Sequence, residues 1–489
     1  MKRYLLGIDI GTTGAKALLC GEDGSIAASA YREYGMAMPH HSWREQNAED
    51  WWTAVTELIR TICRDREKAS GITAVSFSAQ GGTVVPTDGA FRPLGPARVW
   101  SDRRCTPEEV DRFRAAFPGD EIYRTTGWYI SGGLPALQLA WMRDHEPEIF
   151  EKARWFLTVP DYISAKLTGR PVVDISDAGI NQLTDIRKMQ YDERILSWIG
   201  MEPSRLPEIR PSASEIGTIL PEVAAALGLP EKVTVVTGAH DQYAVAAGAG
   251  LGESGCALIG SGTAWAVTVL TDRPHFESGA SQSVSASPGK WGTVASIPSG
   301  GVCLEWFRRQ LSDGTEPMAY DRINERVAEK PVGAGGLRFY PYLNGSGYPR
   351  MSKEARGALQ GIDLSHDRFD IARAVMEGVS FQSDWILDSL RACYPIHTLK
   401  FSGGAAKSGI WVQILADVTG MPVRVARMPE LACLGACILA GVGTQVFADV
   451  GEGYRRLSVP ERVVEPIPEH NRQYRAAAEG YRAHAATLF

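Results

Sequence analysis

Residues 4–20 read YLLGIDIGTTGAKALLC. This is an apolar run, a glycine turn and a second apolar run. Leu5, Leu6, Ile8 and Ile10 are strand-formers, as are Ala17, Leu18 and Leu19. Gly11-Thr12-Thr13-Gly14 is too small and flexible to extend either strand, so it reads as a hairpin turn. Asp9 ends the first strand. Exposed backbone N–H groups and hydroxyls in such a turn approach an anion closely. A carboxylate beside them can hold Mg²⁺, directly or through water. The combination points to a nucleotide phosphate; an ordinary hairpin with a solvated aspartate is the alternative reading.

A chain of 489 residues exceeds one hydrophobic core, so two large domains are expected. Apolar residues at 44% and charged residues at 22% are ordinary for a globular protein. The net charge of −6 comes without a block of like charge, which argues against nucleic acid and anionic membrane as partners. The longest apolar stretch, residues 431–442, is too short and glycine-rich to span a bilayer and reads as a buried helix. The start, Met-Lys-Arg followed by strand residues, shows no signal-peptide cleavage site. The eight cysteines are scattered; Cys433 and Cys437 share a helix face without a nearby histidine and read as buried thiols. These features together place the protein in the cytoplasm.

Outward from the hairpin, an Asp23-Gly24 turn leads to a third strand at 26–34. Asn47 reads as the N-cap of an amphipathic helix over 48–64, with Glu49 and Asp50 in its first turn. A buried strand over 72–78 follows, and three strands, a helix and a strand make an α/β order. Gln80-Gly81-Gly82-Thr83 lies at its carboxyl end, where open α/β sheets hold ligands. RVWSDRR, residues 98–104, offers Trp100, Asp102 and Arg103 to a polyol, or is a surface loop with an Asp102–Arg103 ion pair. Helices are expected over 108–123, 134–144 and 160–167, and a polar loop over 174–181.

The second half repeats the opening. Residues 256–259 form a strand, Gly260-Ser261-Gly262-Thr263 a turn, and 264–270 a strand. Two similar domains, 1–245 and 246–489, would each present one phosphate-gripping hairpin to a shared cleft. A long helix is expected over 366–389. A strand over 399–401 then runs into Ser402-Gly403-Gly404-Ala405 and a helix over 411–419, a plausible nucleotide site.

Four separated motifs follow the order of one family. GIDIGTTGAKALL (7–19), TGAHDQYAVAAGAG (237–250), LIGSGTAW (258–265) and SGGAAKSGIWVQILADVTGMPV (402–423) resemble the FGGY carbohydrate kinases, with xylulokinases closest in look. The resemblance implies two ribonuclease-H-like domains of the actin and hexokinase type with a cleft between them. It implies ATP and Mg²⁺ as cofactors and a ketose or polyol as acceptor, most naturally a pentulose such as xylulose. Asp241 would be the catalytic base and, with Asp9, would hold the magnesium; a helix N-cap is the other role open to Asp241. Gly11, Thr12, Thr13, Gly262 and Thr263 would hold phosphates, and Gly403, Gly404 and Ala405 would let adenosine lie on the backbone. Gln80, Trp100, Asp102, Arg103 and Gln242 are the sugar-side candidates, with His240 a structural neighbour. A homodimer is common among such kinases.

Departures from the pattern concern the sugar. Gly81 and Gly82 stand where xylulokinases carry a Met-His pair, and Gln138 replaces a signature lysine. Two rivals share the motifs: a kinase of a hydroxylated signal molecule of the autoinducer-2 type, and a non-enzymatic actin- or chaperone-like ATPase.

Overall fold

The computed structural model describes residues 2–252, 255–312, 314–426, 428, 430–457 and 460–488. Its frame is two seven-stranded sheets. In the first, β1 (Tyr4–Ile10), β2 (Gly14–Gly21) and β3 (Ile26–Glu33) form an antiparallel meander. β4 (Ile72–Ala79) adds in parallel beside β1. Further out lie β5 (Glu215–Thr218) and β6 (Thr234–Val236), and short β7 (Ala239–His240) pairs with the end of β4.

The second sheet repeats the plan. β8 (Cys256–Ser261) turns into antiparallel β9 (Trp265–Thr271), which pairs with β11 (Trp291–Ile297), edged by β10 (Ser281–Val284). β12 (Thr398–Gly403) adds in parallel to β8, as β4 does to β1, and β13 (Val423–Ala426) and β14 (Glu461–Val464) complete the sheet. The expected second turn is therefore shifted: the strand runs on through Ser261 and the turn spans residues 262–264.

The helix α1 (Ala48–Ile62) follows the sequence reading, with the Asn47 side chain accepting from Glu49 N–H at 3.2 Å. It buries Trp51, Val55, Leu58, Ile59 and Ile62 on the first sheet; truncating a core tryptophan of this kind to alanine costs about 3–5 kcal/mol. The polar loop expected at 174–181 is instead the short helix α2 (Ile175–Ile180). Asp174 caps it, accepting from Ser176 and Asp177 N–H at 2.9 and 3.1 Å. The helix expected over 108–123 is two, Pro107–Ala116 and Glu121–Thr126, because Pro118 and Gly119 interrupt it.

Two helices lie between the sheets. α3 (Asp241–Gly248) carries the 245/246 division in its middle, and it packs on α7 (Leu431–Gly443). The remaining helices that shape the second half are α4 (Gly301–Gln310), α5 (Arg368–Arg391) and α6 (Gly409–Thr419). Contact between α3 and α7 is through small residues. A Cβ on Gly435 would stand 2.0 Å from Ala244 O, and one on Gly248 equally close to Leu431 O. α7 also lies on β1, with Cys433 O as near to the position of a Gly7 Cβ. Leu5 and Leu18 of the first sheet and Leu258 and Val294 of the second share one core with these helices. Cys433 and Cys437 are buried free thiols there. Among the described residues no helix is long and apolar enough to cross a membrane.

Candidate active site

The turn between β1 and β2 is closed by Gly11 N–H donating to Gly14 O at 3.0 Å, and the Tyr34 hydroxyl donates to Gly11 O. Thr12 and Thr13 stand at its tip, Thr13 exposed. Asp9 faces Ser78 across the parallel β1–β4 pair, and the Ser78 hydroxyl donates to Asp9 Oδ1 at 2.7 Å. Burial, with a further contribution from the Asp241 charge, raises the Asp9 carboxyl to about 6 against the Ser78 bond. Asp9 and Asp241, from different ends of the first half, thus share one electrostatic neighbourhood. Two carboxylates that repel each other, one with a single hydrogen bond, suit a divalent cation.

Asp241 is the first residue of α3, not its cap; that position belongs to His240. The helix follows directly from β7, which pins His240 to Ala79 at the end of β4. The Asp241 carboxylate remains partly exposed, 3.3 Å from His240 Nε2. The next residue, Gln242, reaches the other sheet: its Oε1 lies 3.9 Å from where a Cβ on Gly260 would be. Asp241 and Gln242 therefore stand between the two turns.

The second turn is closed by Gly262 N–H donating to Ala264 O at 3.1 Å, and residues 262–264 are exposed. It meets the N-terminus of α4: Gly301 N–H donates to Gly262 O, and Gly300 and Val302 N–H donate to Thr263 O, at 3.1–3.2 Å. The sequence reading missed Gly300 and Gly301; the signal was Ser299-Gly300-Gly301 ahead of an amphipathic run. A Cβ on Gly301 would stand 2.5 Å from Gly262 O.

Beside this turn opens a cavity of about 600 Å³, lined by Gly262, Thr263, Tyr320, Asn324, Gly404 and Ala405 among others, a usual size for a small-molecule site. Its floor is braced by Ser261, whose carbonyl accepts from Gly404 N–H at 2.9 Å and whose hydroxyl accepts from Ala405 N–H at 3.1 Å. Residues 405–407 form a 3₁₀ turn before Ser408 caps α6. Glycine-closed turns, a helix N-terminus and a backbone-lined cavity fit a nucleoside triphosphate.

On the other side of Asp241, Gln80 is buried and donates to Gln46 Oε1 at 2.8 Å, and Gln46 donates in turn to Thr12 O at 2.7 Å. Gln46 was not singled out from sequence; it stands in the polar stretch before the α1 cap. Trp100 is half exposed and donates from Nε1 to Thr12 Oγ1 at 3.3 Å. Asp102 needs correcting. It is fully buried, and its oxygens take Arg44 N–H at 2.7 Å, Arg104 N–H at 2.9 Å and two Arg104 guanidinium bonds at 2.9–3.0 Å. Its ion-pair partner is Arg104, not Arg103, and with both oxygens satisfied it anchors the loop instead of meeting a sugar. Arg103 is exposed and donates to Trp100 O at 3.2 Å. Gln138, buried, braces the same loop through Val99 O and Gly133 O.

Comparison with known proteins shows the family to which the chain belongs. The model of the FGGY carbohydrate kinase N-terminal domain matches residues 4–248, and that of the C-terminal domain matches residues 257–444. The chain is 28% identical over 484 residues to a xylulose kinase of Bacillus subtilis, covering 98% of this chain and 96% of that protein. It is also 28% identical over 484 residues to the gluconokinase of the same organism, covering 95% and 94%. The solved structure titled a xyloylose kinase from Brucella ovis superimposes with a TM-score of 0.91 at 26% identity, covering 99% of each chain. The two sheets are accordingly ribonuclease-H-like domains of the actin and hexokinase type facing one cleft, and the chain belongs to the FGGY family of carbohydrate kinases, phosphotransferases acting on a sugar hydroxyl.

Proposed function

We propose that this kinase transfers the γ-phosphate of ATP to a hydroxyl of an open-chain ketose, a pentulose such as xylulose being the first choice. The observation that carries the reading is the position of Asp241. It opens α3 between the two turns, electrostatically coupled to Asp9, with Gln242 reaching toward Gly260. Asp241 accepts the proton of the attacking hydroxyl. Phosphates lie on the backbone of Gly11 and Gly262 and on Thr12, Thr13 and Thr263, with adenosine over Gly403, Gly404 and Ala405. Asp9 and Asp241 would hold magnesium, which would supply charge neutralisation at the phosphates. Gln80, Trp100 and Gln242 frame the acceptor, and Arg103 stands at its rim. Residues 1–245 thus carry the acceptor side and the base, and residues 246–489 the nucleotide side. A cytoplasmic setting and a homodimer belong to the same reading; light scattering tests the latter.

A gluconate-type acceptor is the second reading, favoured by the equal identity to a gluconokinase. ADP release measured with xylulose, gluconate, glycerol and an autoinducer-2-type dione decides between them. Stimulation by xylulose at least a hundredfold above the rate with water supports the first choice. Stimulation by none of the four overturns both acceptor readings.

A further inference from the structure

We propose that His275, Glu277 and Cys393 form a second metal site, outside the residues assigned to phosphate, adenosine or acceptor, and that it takes a divalent ion of the zinc class. The proposal stands whichever acceptor the enzyme uses. One ring nitrogen of His275, one carboxylate oxygen of Glu277 and Cys393 Sγ lie within 4.8 Å of one another. Among the described residues no other three His, Cys, Asp or Glu side chains gather in this way. Nitrogen, oxygen and sulfur donors together suit zinc and its neighbours, whereas magnesium and calcium take oxygen. Tetrahedral zinc sets such ligands about 3.3–3.6 Å apart, with a fourth position open to water. His275 Nδ1 and Glu277 Oε1 are 2.8 Å apart, joined by a hydrogen bond, and the Glu277 side chain is 57% exposed. A small rotation of that free carboxylate therefore admits an ion between the two. With Nδ1 as ligand the imidazole shifts its proton to Nε2, and the Cys393 thiol gives its proton to solvent. Thiolate and carboxylate then balance the dication.

The three ligands come from two well-fixed segments. His275 and Glu277 lie in the connection from β9 to β10, with Glu277 inside a 3₁₀ turn, Phe276–Ser278. His275 N–H donates to Gln282 Oε1 at 3.2 Å, and its carbonyl accepts the Ser278 N–H at 3.0 Å and the Ser278 hydroxyl at 2.7 Å. The imidazole stands edge-on to the Tyr394 ring at 4.7 Å, and the Tyr394 hydroxyl is hydrogen-bonded to Thr293 Oγ1 of β11 at 2.6 Å. Cys393 precedes that tyrosine just past the end of α5, and the N–H groups of both donate to Leu390 O at 2.9 Å. Sulfur and imidazole are thus positioned by backbone and packing before any ion arrives, which lowers the cost of binding one. Arg273 acts electrostatically on both Glu277 and Cys393, and its charge opposes a dication there.

The same connection carries a contact between the two halves. The Tyr123 hydroxyl donates to Phe276 O at 3.2 Å and to Ala280 O at 2.7 Å, and the Tyr123 ring meets Phe276 edge-on at 5.5 Å. Gln282 N–H donates to Gly127 O at 2.9 Å. An ion held by His275, Glu277 and Cys393 fastens this strip to the end of α5, and so stiffens the surface of the second half on which Tyr123 and Gly127 of the first half rest.

The test titrates the untagged full chain with cobalt(II), a spectroscopic stand-in for zinc, in the presence of excess magnesium. Wild type is expected to show a thiolate-to-cobalt charge-transfer absorption that zinc removes by displacement. Cys393→Ser should abolish this absorption. His275→Ala and Glu277→Gln should each weaken cobalt binding by roughly tenfold or more, since even outer-shell changes at metal sites reach that size. Arg273→Gln should tighten it by about twofold or more, as relief of an exposed charge repulsion does. Melting temperatures without metal establish that each variant is folded. If Cys393→Ser is not, alkylation of wild type read by peptide mass takes its place: zinc should slow labelling of Cys393 by roughly tenfold and leave Cys105, the other partly exposed thiol, unchanged. No thiolate absorption even in excess cobalt, an absorption that persists in folded Cys393→Ser, wild-type affinity in both His275→Ala and Glu277→Gln, or labelling of Cys393 that zinc does not slow would each overturn the site.

Discussion

Gly403 lies against Ser261 so closely that a Cβ on it would stand 2.5 Å from the Ser261 carbonyl oxygen, and its φ is +92°. Both facts demand glycine at the end of β12. The same Ser261 carbonyl accepts from Gly404 N–H, so the floor of the cavity beside the second turn, the proposed nucleotide site, depends on this approach. Gly403→Ala is expected to destabilise the protein by about 1–3 kcal/mol and to weaken nucleotide binding at least tenfold. Urea unfolding and a fluorescence titration with ATP measure the two effects. A stable variant with unchanged affinity would show that the cavity does not use this floor.

Asp241→Asn removes the proposed base and keeps the shape of the N-terminal turn of α3. A loss of about 10²–10⁴ in kcat is expected from general-base catalysis alone, with the affinity for magnesium-free ATP within twofold of wild type. Steady-state kinetics on the best acceptor provide the check. Turnover retained within tenfold would remove Asp241 from the chemistry.

Much of the frame could be read from the chain because its signals are local. The alternation around Gly11-Thr12-Thr13-Gly14 and its echo at 258–265 correspond to β1–β2 and β8–β9, and the apolar stretch at 431–442 corresponds to α7. What escaped depends on distant partners. Asp174 to Asn181 is short and polar, and forms α2 because Asp174 caps it while Ser176 anchors His240 from another part of the chain. Asp102 sits beside Arg103 and Arg104 in sequence, and only the loop's path shows which guanidinium turns inward. The packing of His240 against Gly81 joins positions 159 residues apart by number, beyond any local pattern.

Asp102 and Arg104 are both fully shielded at their side chains, and Arg104 also reaches Glu45 Oε1 at 2.7 Å and lies over the Trp43 ring at 4.0 Å. Removing one partner of such a pair leaves an uncompensated buried charge. Asp102→Ala is expected to cost about 3–5 kcal/mol of stability. The acceptor KM of the protein that remains folded should change less than threefold. Chemical denaturation and kinetics on the same sample separate the outcomes. A loss below 1 kcal/mol with a large rise in KM would return Asp102 to the sugar site.

Asp161 gives a pH prediction. Its carboxylate is fully buried, accepts Thr158 N–H at 2.9 Å, and is pushed up to about 6, chiefly by burial. The folded protein therefore holds this proton more tightly than the unfolded chain, whose carboxyl titrates near 3.8. The stabilising contribution is complete below that unfolded value and is lost as pH rises through about 6. Two pH units correspond to about 3 kcal/mol. Asp161→Asn keeps an oxygen for Thr158 and has no proton to lose. Its stability relative to wild type should improve by up to about 3 kcal/mol between pH 4 and 7 and stay level above that. Asp174 raises Asp161, and Asp161 in turn raises Asp177, so part of the difference is relief of this mutual repulsion. Paired urea titrations at pH 4, 5, 6, 7 and 8 follow it, and a difference that is flat across this range would mean that Asp161 stays ionised throughout.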